Sequence, residues 1–218
     1  MKKIFIDLEM NPTTTLTKDQ SALLRQEIIE IGAVMYDENE NRIATFREYV
    51  RPVYCRHIGR QIRQLTNITD EMVANADLFE NVIGRFLDWC GSDFRLYCWS
   101  ENDTAQLRKE AIFKGYAGTE RLLGSLLEWE DVQQIFGETA GFFRVQKLGI
   151  AADLCGISFE GRQHDALSDA IVTAELYFET RHGETIKAVK SYIVDDRKEN
   201  SFGTSLGSLF SGLVLAAG

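Results

Sequence analysis

The sequence predicts an α/β domain on a mixed sheet, an antiparallel hairpin joined to parallel strands and flanked by helices. Three observations predict it: an apolar strand at the start, a hairpin pattern between residues 28 and 50, and a later series of helical periodicities broken by one further strand.

Taken in order, Ile4-Phe5-Ile6 reads as a buried strand ending in the acids of Asp7-Leu8-Glu9. Asn11 to Lys18 is polar and threonine-rich, a surface loop. Ile28 to Val34 is β-rich and mostly apolar, Asp37 to Asn41 has turn chemistry, and Ile43 to Val50 alternates again, which makes the hairpin. Phe79, Val82, Ile83, Phe86 and Leu87 fall at helix spacing and predict a helix over Leu78 to Cys90. Phe94 to Trp99 is a short strand. Asn102-Asp103 is then expected to cap a helix whose apolar side holds Ala105, Leu107, Ala111 and Ile112. Two further helices are expected, from Gln146 to Cys155 and from His164-Asp165 through Tyr177.

The chain has 218 residues, 44% hydrophobic and 26% charged, which suits one well-packed domain. That domain is placed at residues 1–182, because the texture changes beyond it. Residues 183–218 are expected to form a C-terminal extension, with the glycine- and serine-rich stretch Ser201 to Gly218 as a tail, a terminal strand or the contact of a homodimer.

A net charge of −9 argues against a protein that coats long duplexes, which needs a broad basic surface. It leaves room for an enzyme that grips a few nucleotides at a strand end. Cys55, Cys90, Cys98 and Cys155 lie far apart, which excludes zinc-ribbon and thioredoxin-like spacings. The opening segment meets Asp7 after three apolar residues, too soon for a signal peptide, and no apolar run reaches membrane-spanning length. These features lead to the expectation of a cytoplasmic protein with reduced thiols and no membrane partner.

Three blocks carry chemistry. On a strand, Asp7 and Glu9 point to one face, and two converging acids favour hard divalent cations such as Mg²⁺ or Mn²⁺. Asp103 stands at a strand-to-helix junction, and His164 precedes Asp169 by five residues at the mouth of an apolar helix. Histidine is the side chain closest to neutrality without perturbation, so it suits a base that takes a proton from water. Each block also has a plainer reading by itself: solvated surface acids, an N-cap, the polar start of a helix.

Together the blocks resemble the DEDDh exonuclease superfamily, whose members include proofreading subunits, ribonuclease T and oligoribonuclease. Its first motif appears as Ile4-Phe5-Ile6-Asp7-Leu8-Glu9, its second as Cys98-Trp99-Ser100-Glu101-Asn102-Asp103-Thr104-Ala105-Gln106-Leu107, and its third as His164 to Ala170. Glu27-Ile28-Ile29-Glu30-Ile31-Gly32 looks like the family's second strand, and Tyr49-Val50-Arg51-Pro52 like the end of its third. Leu65-Thr66-Asn67-Ile68-Thr69-Asp70 resembles a turn of the branch that contains KapD-like and histone-mRNA 3′-end exoribonucleases. The similarity spans residues 2 to 180. Two departures stand out: Asn67 replaces the usual glycine of that turn, and Met10-Asn11 replaces the usual small residues after the first motif.

The resemblance implies a ribonuclease-H-like fold and a 3′→5′ exonuclease that releases nucleoside 5′-monophosphates from single-stranded nucleic acid, RNA favoured over DNA by the branch. It also implies two Mg²⁺ or Mn²⁺ ions on Asp7, Glu9, Asp103 and Asp169, about 4 Å apart, with His164 as general base. Met10, Asn67 and Trp99 are carried as substrate contacts. Arg56, Arg60 and Arg63 fall at i, i+4 and i+7 if their stretch is helical, and with Arg51 they are expected to touch backbone phosphates. Phe113, Tyr116, Phe142 and Phe143 are candidates for base stacking, with core packing the plainer expectation. The rival readings are a non-catalytic nucleic-acid-binding module on the same fold and a ribonuclease-H-like endonuclease. A serine hydrolase using Ser168 is excluded because no G-x-S-x-G elbow is present.

Overall fold

The first strand sets both layers of the molecule. In the computed structural model, which describes residues 1–190, β1 (Lys2–Pro12) pairs antiparallel with β2 (Gln26–Tyr36), and β2 pairs antiparallel with β3 (Arg42–Tyr49). On its other edge β1 runs parallel to β4 (Phe94–Cys98), and β4 is parallel to β5 (Glu130–Asp131). The order β3-β2-β1-β4-β5 is the mixed, ribonuclease-H-like sheet expected from the sequence. Asp37 closes the hairpin by accepting the N–H groups of Asn39 and Asn41.

The helices are α1 (Lys18–Leu23), α2 (Arg60–Thr66), α3 (Asp70–Ala74), α4 (Phe79–Cys90), α5 (Glu101–Lys114), α6 (Thr119–Ser125), α7 (Val132–Ala140), α8 (Leu148–Cys155) and α9 (Ala166–His182). Ile4, Ile6 and Leu8 of β1 enter one core with Val82, Ile83 and Phe86 of α4. Phe5 points the other way, into a second core with Phe136 of α7 and Leu176 of α9. The strand's period of two therefore puts Asp7 and Glu9 on the side of Phe5, toward α9.

Four expectations are corrected. The acids do not end β1: after a bulge between Glu9 and Met10 the strand keeps pairing with β2 as far as Pro12, so the loop shrinks to the few residues before α1. Ser100, not Asn102-Asp103, is the N-cap of α5, its side chain accepting the Asn102 N–H. The inner face of α5 is mixed. Leu107 and Ala111 enter the first core as expected, but Gln106 and Glu110 are buried with them, donating to the Gln26 carbonyl and accepting the Ile28 N–H, and Ile112 is 59% exposed. Finally, α8 begins at Leu148 rather than at Gln146.

Residues 184–190 are helical and send Ile186 and Val189 into the second core. The tail at 201–218, with the expected strand or homodimer contact, lies outside the described residues.

Candidate active site

β4 accompanies β1 only over Lys2 to Phe5, so from Ile6 onward that edge of β1 is open. The start of α5 fills the opening. Asp103, in the first turn of the helix, is buried there and accepts the backbone N–H of Leu8.

α9 brings the third block. Asp165 caps it by accepting the Ser168 N–H at 3.1 Å, and Asp169 sits in its first turn. Asp169 Oδ2 accepts the His164 N–H at 3.2 Å. Gly32, the cross-strand partner of Asp7, makes this approach feasible: a Cβ there would stand 2.1 Å from Leu167 N and 2.2 Å from Ala166 C. Only a glycine lets α9 rest on the backbone of β2 so closely.

The result is convergence. Ligand atoms of Glu9, His164 and Asp169 lie within 4.8 Å of one another. Glu9, Asp103 and Asp169 are buried, and Asp7 is partly so. Burial and mutual repulsion hold Asp7 well above the usual carboxylate range. Burial, with Asp169 and Glu30 alongside, pushes Glu9 up to about 8. Asp103 and Asp169 are both pushed up to about 7, burial again being the main cause. His164 moves the other way: burial and the nearby Arg162 lower it, which keeps the imidazole neutral at pH 7.

A divalent cation fits this donor set. Among the described residues Asp169 Oδ1 is buried with no hydrogen-bond donor, and an orphaned carboxylate oxygen among repelling acids is what a hard cation satisfies. The carboxylates available to hold it are Asp7, Glu9, Asp103 and Asp169.

Sequence reasoning missed one group. Glu30 of β2, opposite Glu9, is buried beside the four acids and binds Arg47 of β3. The available signal was a lone acid inside the apolar run Ile28 to Val34.

The other expected contacts are scattered. Trp99 is buried, donates its indole N–H to the Gln146 carbonyl, and lines a cleft of about 540 Å³ with Asn102, Gln133, Lys147, His164 and Asp169. Asn67 takes φ +63 as the C-cap of α2, the left-handed conformation that its substitution for glycine tolerates. Met10 is half-buried, and its Sδ accepts from Gln26 Nε2.

The arginine stripe is corrected. Arg60 opens α2, and Arg56 precedes the helix, lining a small cavity with Arg51. The stretch before α2 cannot be helical because its backbone groups are already engaged. Glu27 accepts the Val53 and Tyr54 N–H groups, and Asn11 donates to the Cys55 and His57 carbonyls. Arg63 Nη2 donates to the Ile58 carbonyl and lies 3.8 Å from Asp70. Among the aromatics, Tyr116 and Phe142 pack against the cores and Phe113 meets Tyr54 edge-on, while Phe143 is 88% exposed.

Among the described residues no helix is long and apolar enough to cross a membrane. The Exonuclease (RNase_T) family model matches residues 4–177. The rat 3′-5′ exoribonuclease 1 is 25% identical over 163 residues, covering 72% of this chain and 47% of that protein, so the chain spans about half the length of this curated relative. A PolC-type DNA polymerase III from Caldanaerobacter subterraneus is 28% identical over 159 residues, 71% of this chain and 10% of the polymerase. Among solved structures, the nuclease domain of 3′hExo, a DEDDh family member bound to rAMP, superposes with a TM-score of 0.65 at 22% identity, covering 83% of this chain and 92% of that one. Escherichia coli exonuclease I in complex with a dT13 oligonucleotide gives 0.60 at 14% identity, covering 90% and 44%. With the family model spanning both the strand that carries Asp7 and the helix that carries Asp169, the chain belongs to the Exonuclease family.

Proposed function

We propose that the chain is a metal-dependent 3′→5′ exonuclease, its domain at residues 1–182 acting on the 3′ end of single-stranded nucleic acid, RNA in preference to DNA. The observation that carries the reading is the meeting of Glu9, His164 and Asp169 beside buried Asp103 and partly buried Asp7. RNA is favoured because curated relatives are named exoribonucleases. The free thiols of the four buried cysteines suit a reducing, cytoplasmic setting.

Asp7, Glu9, Asp103 and Asp169 would hold two Mg²⁺ or Mn²⁺ ions, which supply charge for the attacking and leaving oxygens of an in-line displacement at phosphorus. The chain's own part is to orient and to move a proton. His164, neutral because its pKa is lowered, takes a proton from the attacking water as the water oxygen bonds to phosphorus. The bond from phosphorus to the 3′ oxygen of the preceding nucleotide breaks, that oxygen gains a proton from solvent, and a nucleoside 5′-monophosphate leaves. The cleft beside Trp99 and Lys147 offers an apolar wall and a cation next to these groups, which suits a nucleotide.

The test is digestion of matched single-stranded RNA and DNA with Mg²⁺, with product lengths resolved and a 3′-blocked substrate alongside. Stepwise shortening to mononucleotides, arrested by the block, is expected, and His164→Ala should slow it by orders of magnitude without unfolding. Cleavage of the blocked strand would mark an endonuclease, and wild-type rates in His164→Ala would remove the base assignment.

A further inference from the structure

Glu30 is a fifth acid beside four that already repel one another, and it is 1% exposed. Its oxygens face donors. Oε1 accepts Arg47 Nε at 2.7 Å, and Oε2 accepts the Ala166 N–H at 3.4 Å, the first residue of α9. A buried ion pair is often no better for stability than apolar residues of similar size. An acid kept here, against its neighbours' repulsion, therefore points to geometry.

Arg47 divides its planar fork. While Nε holds Glu30, Nη2 reaches Asp165 Oδ2 at 2.5 Å, and the guanidinium lies 5.8 Å from the Tyr49 ring centroid. Asp165 is the N-cap of α9 and follows His164 directly. His164 takes φ +62, a left-handed conformation that a residue with a Cβ holds only when its surroundings enforce it. On the other side of His164, Arg162 donates to the Leu65 carbonyl at 2.9 Å and the Gln64 carbonyl at 3.4 Å. The turn at His164 is thus tethered at both flanks.

We propose that Arg47 is a positioning residue for the reaction, bridging Glu30 and Asp165 so that the His164 turn and the first turn of α9 present imidazole and Asp169 to Glu9. This rests on the exonuclease reading above. Arg47 acts through Asp165, and the substrate is not its partner.

Two variants test it. Arg47→Lys keeps a cation but cannot span both carboxylates, and its site is 41% exposed, so the fold tolerates it. Asp165→Asn keeps a good cap and loses the ionic half of the link. Each should lower kcat about tenfold with KM unchanged, in the range seen when partners of ligating groups are removed. The double variant should be no worse than either single one, because both cut one link. Amide hydrogen exchange should quicken from Ala166 to Asp169 in both. An unchanged kcat, a loss confined to KM, a multiplied loss of about a hundredfold in the double variant, or unchanged exchange would each overturn the proposal. A wild type without nuclease activity would sink the exonuclease reading instead, and the exchange would still decide whether Arg47 holds the arm.

Discussion

Two clusters of buried carboxylates flank β2, and they are built on opposite terms. Glu27 and Glu110 are wholly buried, but Lys114 Nζ stands 2.9 Å from one and 2.8 Å from the other. Glu27 also accepts the Val53 and Tyr54 N–H groups, and Glu110 Oε2 accepts the Ile28 N–H and the Gln106 amide. Around Asp7 and Glu9 the strongest neighbouring charges are all negative, and among the described residues Asp169 Oδ1 has no donor. Matched acids tie loops and helices to a sheet. Unmatched ones, held together by a fold that gains nothing from their repulsion, are where a cation belongs.

The sharpest break of the comparison is Asp7→Asn. It should abolish Mg²⁺-dependent nuclease activity, yet leave the thermal midpoint of the metal-free protein no lower than wild type, because a repelled charge has been removed. Retained activity would rule out the ligand role, and a marked fall in midpoint would place Asp7 with the structural acids. Next in size is Lys114→Met, which strands two buried carboxylates and should cost about 3–5 kcal/mol in denaturant unfolding. Activity per folded molecule should persist. A cost below about 1 kcal/mol, the scale of an exposed pair, would remove the distinction between the clusters.

What was legible in the sequence follows the same divide between local and distant chemistry. The convergence of Asp7 and Glu9 needs only the period of a strand. Asn67 announces its left-handed φ by standing where a glycine is usual. Arg56 was misplaced because bonds from Asn11 and Glu27, far away in the chain, pre-empt the helix expected there. Asp103 was taken for the cap because Ser100, Asn102 and Asp103 all have capping chemistry within one turn, and only the packing against Leu8 separates them. Glu30 was silent for a deeper reason. Its partners lie 17 and 136 residues away, on β3 and at the start of α9, and no periodicity encodes such a pairing.

The smallest effect separates the clusters through protons. Glu9 rises from 4.5 to about 8 on folding, and Asp103 and Asp169 from 3.8 to about 7. Between those limits the folded, metal-free protein keeps protons that the unfolded chain has released, so stability falls as pH rises. The contribution is whole below about pH 4 and gone above about pH 8. His164, lowered from 6.5, opposes the trend with one group against several. Melting of the metal-free protein from pH 5 to 8.5 should therefore show a midpoint that declines, and saturating Mg²⁺ should flatten the decline, because the cation prefers the ionised carboxylates and binds better as pH rises. In the Asp7→Asn protein the decline should be shallower, while Lys114→Met should not lessen it, since it leaves the acids around Asp7 untouched and takes from buried Glu110 the cation that holds its carboxyl down. A midpoint that is flat or rising without metal over this interval would mean that the acids around Asp7 are matched after all.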